Sequence, residues 1–312
     1  MVHILNDKDL DAPNLMPIAI NAVEGALMGK ATGRLVSPPR HNVRFGDFGD
    51  LVFTVGGTTG TAPTAGFRVY DTFAGNDHTQ LVAVWSASTA KLLGIILGTR
   101  LGEIRTGAIG GVAIRQMSRA DAKRVGIVGS GMQARTQLEA AASVRKVEEA
   151  FVFSRSAANR KAFALEMTAR IGFPVRAVDK PEDAVREMDI VICATTSSRP
   201  VLDAAWLARG THVDTVGPKF IDDHELGTDV ADRAALIATD SPEQVGAYPR
   251  PFFLAGSSSL DRMLDLAEIV QGGLPERRKP DDITLFCSAG LAGTEVIVAS
   301  QILAQAISQA AW

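Results

Sequence analysis

The chain has 312 residues, 46% of them hydrophobic and 21% charged, with a formal net charge of −3. This length suits two domains of ordinary size, and the near-neutral balance of scattered Lys and Arg excludes the basic footprint of a nucleic-acid binder. No apolar run approaches the roughly 20 residues that cross a bilayer, and the residues after Met1 carry no secretory pattern, so a cytoplasmic protein with no membrane partner is expected.

The first third reads as α+β. Apolar residues at helical spacing (Leu15, Ile18, Ala22, Val23, Ala26, Leu27) predict a helix over Asn14–Met28 that stops at Gly29. Extended segments follow at Leu35–Pro38, Leu51–Val55, Gly66–Phe73, Leu81–Ser86 and Lys91–Leu97, punctuated by Gly and Pro clusters, and suggest an antiparallel sheet. Leu101–Met117 predicts a helix despite Gly107, Gly110 and Gly111. Each glycine costs a helix up to about 1 kcal/mol relative to Ala, so close packing against another backbone or a ligand is expected there.

From Ala122 the pattern alternates. Strands are predicted at Arg124–Val128, Ala150–Ser154, Val175–Val178, Ile190–Ala194, His212–Val216, Leu236–Thr239 and Ile283–Cys287. Helices are predicted at Gln133–Val144 and Ala157–Ile171 and near Pro181–Met188, and an apolar helix over Gly293–Ala311 closes the chain. Strands separated by helices of this length imply βαβ units and a Rossmann-type doubly wound parallel sheet. The expected division is a smaller α+β domain over residues 1–118, completed by the C-terminal helix 293–312, and a dinucleotide-binding domain over residues 119–292. Cys193 and Cys287 lie inside apolar strands without CxxC spacing, so buried thiols and no metal site are expected.

The strand Val125–Val128 leads directly into Gly129-Ser130-Gly131-Met132-Gln133-Ala134, which opens a helix. In that context the first glycine permits a tight turn, the second lets backbone approach a pyrophosphate, and Ala134 keeps helix close to strand. The helix N-terminus then offers unpaired N–H groups to phosphate. The second strand ends in Ser154-Arg155-Ser156, without the acid that accepts from an NAD ribose 2′-hydroxyl. A guanidinium between two hydroxyls suits a 2′-phosphate. NADP(H) is therefore expected ahead of NAD(H).

Further segments stand in a telling order. They are Arg105-Thr106-Gly107-Ala108, Ala194-Thr195-Thr196-Ser197-Ser198-Arg199-Pro200, Val216-Gly217-Pro218 with His224-Glu225-Leu226, and Ser288-Ala289-Gly290-Leu291-Ala292. Together they resemble the ornithine cyclodeaminase/mu-crystallin family over nearly the whole chain. The resemblance implies a homodimer whose first domain holds the interface and part of a substrate site. It also implies hydride exchange between nicotinamide and the α-carbon of an amino or imino acid. By resemblance, Arg40 (in Pro38-Pro39-Arg40-His41) and Arg105 bind the substrate carboxylate, and Thr195, Thr196, Ser197, Gly217, Ser288 and Gly290 join the cofactor site. His41 and His78 read as hydrogen-bonded loop residues.

Two positions depart from the family pattern. Arg68 stands where cyclodeaminases carry a Lys, and an Arg is a poor proton shuttle. Lys219 stands where they carry an Asp, and a cation there would repel an ornithine ammonium. These departures argue for a reductase of imino acids or an amino-acid dehydrogenase. Lys219 is then the candidate acid, and Arg68 acts in catalysis or carboxylate binding beside Arg40 and Arg105. Three arginines suggest an acidic substrate, perhaps a dicarboxylate, unless Arg68 or Lys219 pairs with a protein acid such as Asp71, Asp222 or Asp223. Two alternatives stay open: an ammonia lyase of the ornithine cyclodeaminase type that keeps its NAD bound, and a non-catalytic binder of NADPH and a small ligand.

Overall fold

A computed structural model of the chain describes residues 2–12, 14–75, 78–274 and 279–310. The chain divides into two compact units: Met1–Ala108 with Gly290–Trp312, and Ile109–Ala289. The boundary falls inside a helix, earlier than its end where the sequence places it. Ala311 and Trp312, at the end of the expected C-terminal helix, lie outside the described residues.

The first unit begins with β1 (His3–Leu5), α1 (Leu15–Ala31), β2 (Leu35–Val36) and β3 (His41–Arg44). It continues with β4 (Asp50–Thr58), β5 (Thr64–Asp71), β6 (Leu81–Ser86), β7 (Lys91–Leu97) and the start of α2 (Arg100–Met117). Its sheet runs β1-β7-β6-β5-β4-β2, with β3 also on β4. The strands β4 to β7 pair antiparallel, as expected, but β1 joins β7 in parallel. Neither β1 nor β3 is legible in the sequence, because β1 has three residues and β3 is exposed throughout, so no alternation marks it. The stripe Leu15, Ala19, Ile20, Val23 and Leu27 buries one side of α1.

In the second unit β8 (Arg124–Val128), α3 (Met132–Val144), β9 (Glu149–Phe153), α4 (Ala157–Ile171), β10 (Val175–Ala177), β11 (Ile190–Cys193) and β12 (His212–Thr215) come first. A hairpin of β13 (Lys219–Phe220) and β14 (Asp223–His224) follows, then α5 (Thr228–Arg233), β15 (Leu236–Thr239), α6 (Pro242–Ala247) and α7 (Ser258–Asp261). The unit closes with β16 (Met263–Asp265), α8 (Leu266–Gly272) and β17 (Thr284–Cys287). The chain then returns to the first unit with α9 (Thr294–Ala310), which packs on α1 and across β4 to β7.

The large sheet has the order β10-β9-β8-β11-β12-β17-β15-β16, and every pairing in it is parallel. Its central strands are almost wholly buried, and β8 after Arg124 and β11 read as continuous apolar runs for that reason, whereas β12 buries His212 and Asp214 as well. The strand order reverses between β8 and β11. In an open α/β sheet a ligand binds outside the carboxyl ends of the strands at such a reversal. The helix expected near Pro181–Met188 is instead one short turn, Glu182–Ala184. The reason is proximity: a Cβ on Gly126 of β8 would collide with the Ala184 carbonyl oxygen, so this segment lies directly on the strand. A full helical cylinder has no room there.

Candidate active site

At the strand-order reversal three turns meet around a crevice of ≈560 Å³. Val128–Gly131 follows β8, Phe153–Ser156 follows β9, and Ala194–Ser197 follows β11. Gly129 has φ +120° and its N–H donates to Phe153 O at 2.8 Å. A side chain at Gly129 would also strike the Ala194 carbonyl, so only glycine closes this turn. Gly131 precedes α3, and a Cβ on it would point into open space, which leaves backbone amides accessible to an anion. Arg135 donates to the Ser130 and Gly131 carbonyls at 2.9 and 3.1 Å and pairs with Glu166, fixing the loop from behind. At the rim, Ser156 caps α4 by accepting from Asn159 N, and Arg155 is exposed. Among the described residues, no acidic side chain lines the crevice. Glycines, an open helix terminus and a rim cation fit a dinucleotide.

Of the residues expected at the cofactor, Gly129, Ser130, Gly131, Ser154, Arg155, Ser156, Thr195, Thr196 and Ser197 line this crevice. Met132, Gln133 and Ala134 do not; Ala134 is buried in the core, where it brings α3 against the sheet. Gly217 lies against Thr195 O and the Glu225 carboxylate. Ser288 is buried at the end of β17, its N–H on Thr215 O at 3.0 Å. Gly290 belongs to the first unit, beside Arg40 and Arg105.

Glu225 carries a role the sequence did not disclose. It is fully buried, and its Oε2 accepts from Thr195 N and Oγ1, both at 2.7 Å. Its Oε1 accepts from Thr215 Oγ1, Val216 N and Gly217 N at 2.8, 3.1 and 2.6 Å. Lys219, half-buried on β13, donates from Nζ to Val216 O at 3.2 Å. Asp222 and Asp223 both pair with Arg250.

In the first unit Arg40, Arg68 and Arg105 gather around one acid, Glu295 on α9. Arg68 Nη1 and Arg105 Nη2 reach Glu295 Oε1 at 2.7 and 2.9 Å. Arg68 Nε and Nη2 also donate to Gln80 Oε1 at 2.9 and 2.6 Å, and its guanidinium lies 4.3 Å from the Tyr70 ring centroid. Arg40 Nη2 donates to Gly290 O at 2.8 Å. Burial alone would raise the Glu295 carboxyl, but the fields of Arg105 and Arg68, a backbone hydrogen bond and Arg40 outweigh it and hold it at about 2. Arg68 thus pairs with a protein acid, though not with Asp71, which bonds His78 at 2.7 Å. The signal for Glu295 was present: it is the one charged residue of α9, on a turn with Val296, Ile297 and Val298, and a buried acid there needs a cation.

A profile of the ornithine cyclodeaminase/mu-crystallin family matches residues 3–310. A Δ1-pyrroline-2-carboxylate reductase of Bacillus cereus is 31% identical over 221 residues, covering 70% of this chain and 68% of that one. The structure of Thermococcus litoralis Δ1-pyrroline-2-carboxylate reductase in complex with NADH and L-proline is similar at TM-score 0.86 and 29% identity, over 99% of this chain and 98% of that chain. An archaeal alanine dehydrogenase dimer with bound NAD aligns at TM-score 0.87 and 26% identity, over 99% and 97% of the two chains.

Because the folded Glu295 carboxyl lies below its ordinary value of 4.5, its ion pairs contribute stability above that pH, and the contribution fades as pH falls toward about 2. Glu295→Gln leaves two buried guanidiniums without their counterion, at a cost of about 3–5 kcal/mol. In urea unfolding the variant should be less stable than wild type near neutrality, and the gap should narrow on acidification. A gap that is constant between pH values of about 6 and 3 contradicts the ion-pair assignment.

Proposed function

Because the chain belongs to the ornithine cyclodeaminase/mu-crystallin family, we propose that it is an NAD(P)H-dependent oxidoreductase that reduces the C=N bond of a small imino acid. The carrying observation is Lys219: an ammonium held on the Val216 carbonyl beside Gly217, at a position where deamination of ornithine calls for an acid. Reduction of an imine needs a proton donor for nitrogen, and a Lys side chain is a tunable one. When bound, the reduced nicotinamide supplies the hydride. Lys219 Nζ holds the proton that goes to nitrogen.

Arg40 and Arg105 take the substrate carboxylate, for which the planar guanidinium fork is suited. Arg68 acts as an orienting cation, since it is already engaged by Gln80 and Glu295 and does not carry protons. With Glu295 offsetting part of the positive charge, one carboxylate on the substrate suffices. A monocarboxylic imino acid, cyclic like pyrroline-2-carboxylate or linear, fits better than a dicarboxylate. NADP(H) is preferred to NAD(H), on the support of Arg155 at a rim without acids. The buried thiols of Cys193 and Cys287 fit a reducing cytoplasm.

The protein works as a homodimer joined through the first unit. Support for this comes from the exposed Val43, Phe45 and Phe48 on β3 and the turn after it, an apolar strip that a single chain leaves in water. Phe48→Asp should convert the dimer to monomer in sedimentation velocity; wild type sedimenting as a monomer contradicts this.

Arg155→Ala should weaken NADPH binding about tenfold or more, the worth of a charge-assisted contact, and NADH binding much less. Equal losses in a fluorescence titration remove the cofactor assignment. Lys219→Met should lower kcat for imine reduction about 10²-fold or more with cofactor binding intact. An unchanged kcat across a panel of cyclic and linear imino acids, followed by NADPH absorbance, sinks the acid assignment.

A further inference from the structure

Two residues before the Val216 carbonyl that holds Lys219 lies Asp214, one of several buried groups that the reaction outlined above does not use. Asp214 on β12, Asp240 just after β15 and Cys287 at the end of β17 are all inaccessible to solvent or nearly so, as is Glu225. The three acids are not equivalent. Glu225 accepts the five hydrogen bonds already described, and Asp240 Oδ1 accepts from Ala289 N at 2.6 Å. Asp214 has no hydrogen-bond partner on either carboxyl oxygen among the described residues.

Its surroundings are tight. A Cβ on Gly110 of α2 would stand 2.6 Å from Asp214 Oδ2 and would collide with Gln137 Oε1 of α3. The close packing expected at this helix glycine is therefore against two side-chain oxygens, not against another backbone. The charged groups acting on Asp214 are Asp240, Glu225 and Lys219. The thiols of Cys193 and Cys287 are pushed up by burial and stay neutral. One ammonium does not balance three carboxylates in a dry interior. The shared proton goes to the acid with the fewest donors.

We propose that Asp214 is a proton-holding positioning residue for Lys219: neutral, it leaves the ammonium seated on the Val216 carbonyl and able to give its proton to the substrate nitrogen; ionised, it becomes a counterion that retains that proton. Burial and the like charges of Asp240 and Glu225 outweigh the opposing pull of Lys219 and raise the Asp214 carboxyl to about 8. The enzyme is then competent as an acid below that pH and loses competence above it. The catalytic half of this inference rests on the Lys219 reading above; the titration half does not.

Asp214→Asn tests both halves. A folded carboxyl raised from 3.8 binds a proton that the unfolded chain has released, so wild-type stability falls as pH rises from about 4 to about 8. The neutral amide removes that loss. The Tm of Asp214→Asn relative to wild type should therefore climb between pH values of about 5 and 8, and a difference that does not change with pH overturns the proposal. In NADPH-dependent imine reduction wild type should lose about tenfold in rate between pH values of about 7 and 9, and the variant should hold its rate. Coincident profiles overturn the coupling to Lys219.

Asp240→Asn provides a second arm should Asp214→Asn fold poorly. It keeps an acceptor for Ala289 N while removing the larger of the two repelling charges, so the alkaline limb should move to lower pH. A limb that stays in place overturns the proposal. Lys219→Met with undiminished rate defeats the reductase acid assignment, whereas a pH-independent Tm difference in Asp214→Asn defeats the proton store, and the two failures are read separately.

Discussion

Five hydrogen bonds converge on the carboxylate of Glu225, and much of what the second unit offers a ligand is placed by them. One oxygen holds the turn after β11 and the other holds the turn after β12. The first turn carries Thr195–Ser197, a wall of the cofactor crevice that also presses on Gly129. The second carries Gly217 and the Val216 carbonyl on which Lys219 is seated. A buried carboxylate is costly unless donors replace water. Here three backbone amides and two hydroxyls do so, and in return both turns are fixed with respect to each other. Gly217 has to be glycine because a side chain would enter the space shared by Thr195 O and Glu225.

The first unit solves a comparable problem with ions. Arg68 and Arg105 are nearly inaccessible, and two buried guanidiniums without a counterion would be prohibitive. Glu295 supplies that counterion from α9, which returns from the far end of the sequence. A buried ion pair of this kind adds little net stability over an apolar equivalent, but it sets geometry. Gln80 and Tyr70 hold the rest of Arg68, so the cation is committed before any substrate arrives.

The doubly wound sheet and the phosphate loop were legible because apolar runs, helical periodicity and the Gly129–Ala134 spacing are all local signals. The strands β6, β7, β8 and β15 and the helix α4 lie where the pattern puts them. What escaped was non-local or unpatterned. β3 is polar and exposed, so it reads as loop. The turn at Glu182–Ala184 reads as helix until Gly126 is known to lie beneath it. The arginines were visible as cations, but their partner Glu295 is more than 180 residues away in sequence. Glu225 lies in the His224-Glu225-Leu226 segment, yet its role is set largely by backbone amides that have no residue type to announce them. Asp214, an acid inside a wholly buried strand, was a signal that sequence reading passed over.

The direction of electron flow separates a reductase from a redox-neutral lyase. Purified protein given NADPH and pyrroline-2-carboxylate should oxidise one NADPH for each cyclic amino acid formed, and should release no ammonia from ornithine. Ammonia release from ornithine with no net change in nicotinamide, and no oxidation of NADPH by any imino acid, would show that Lys219 and Arg68 serve a different reaction.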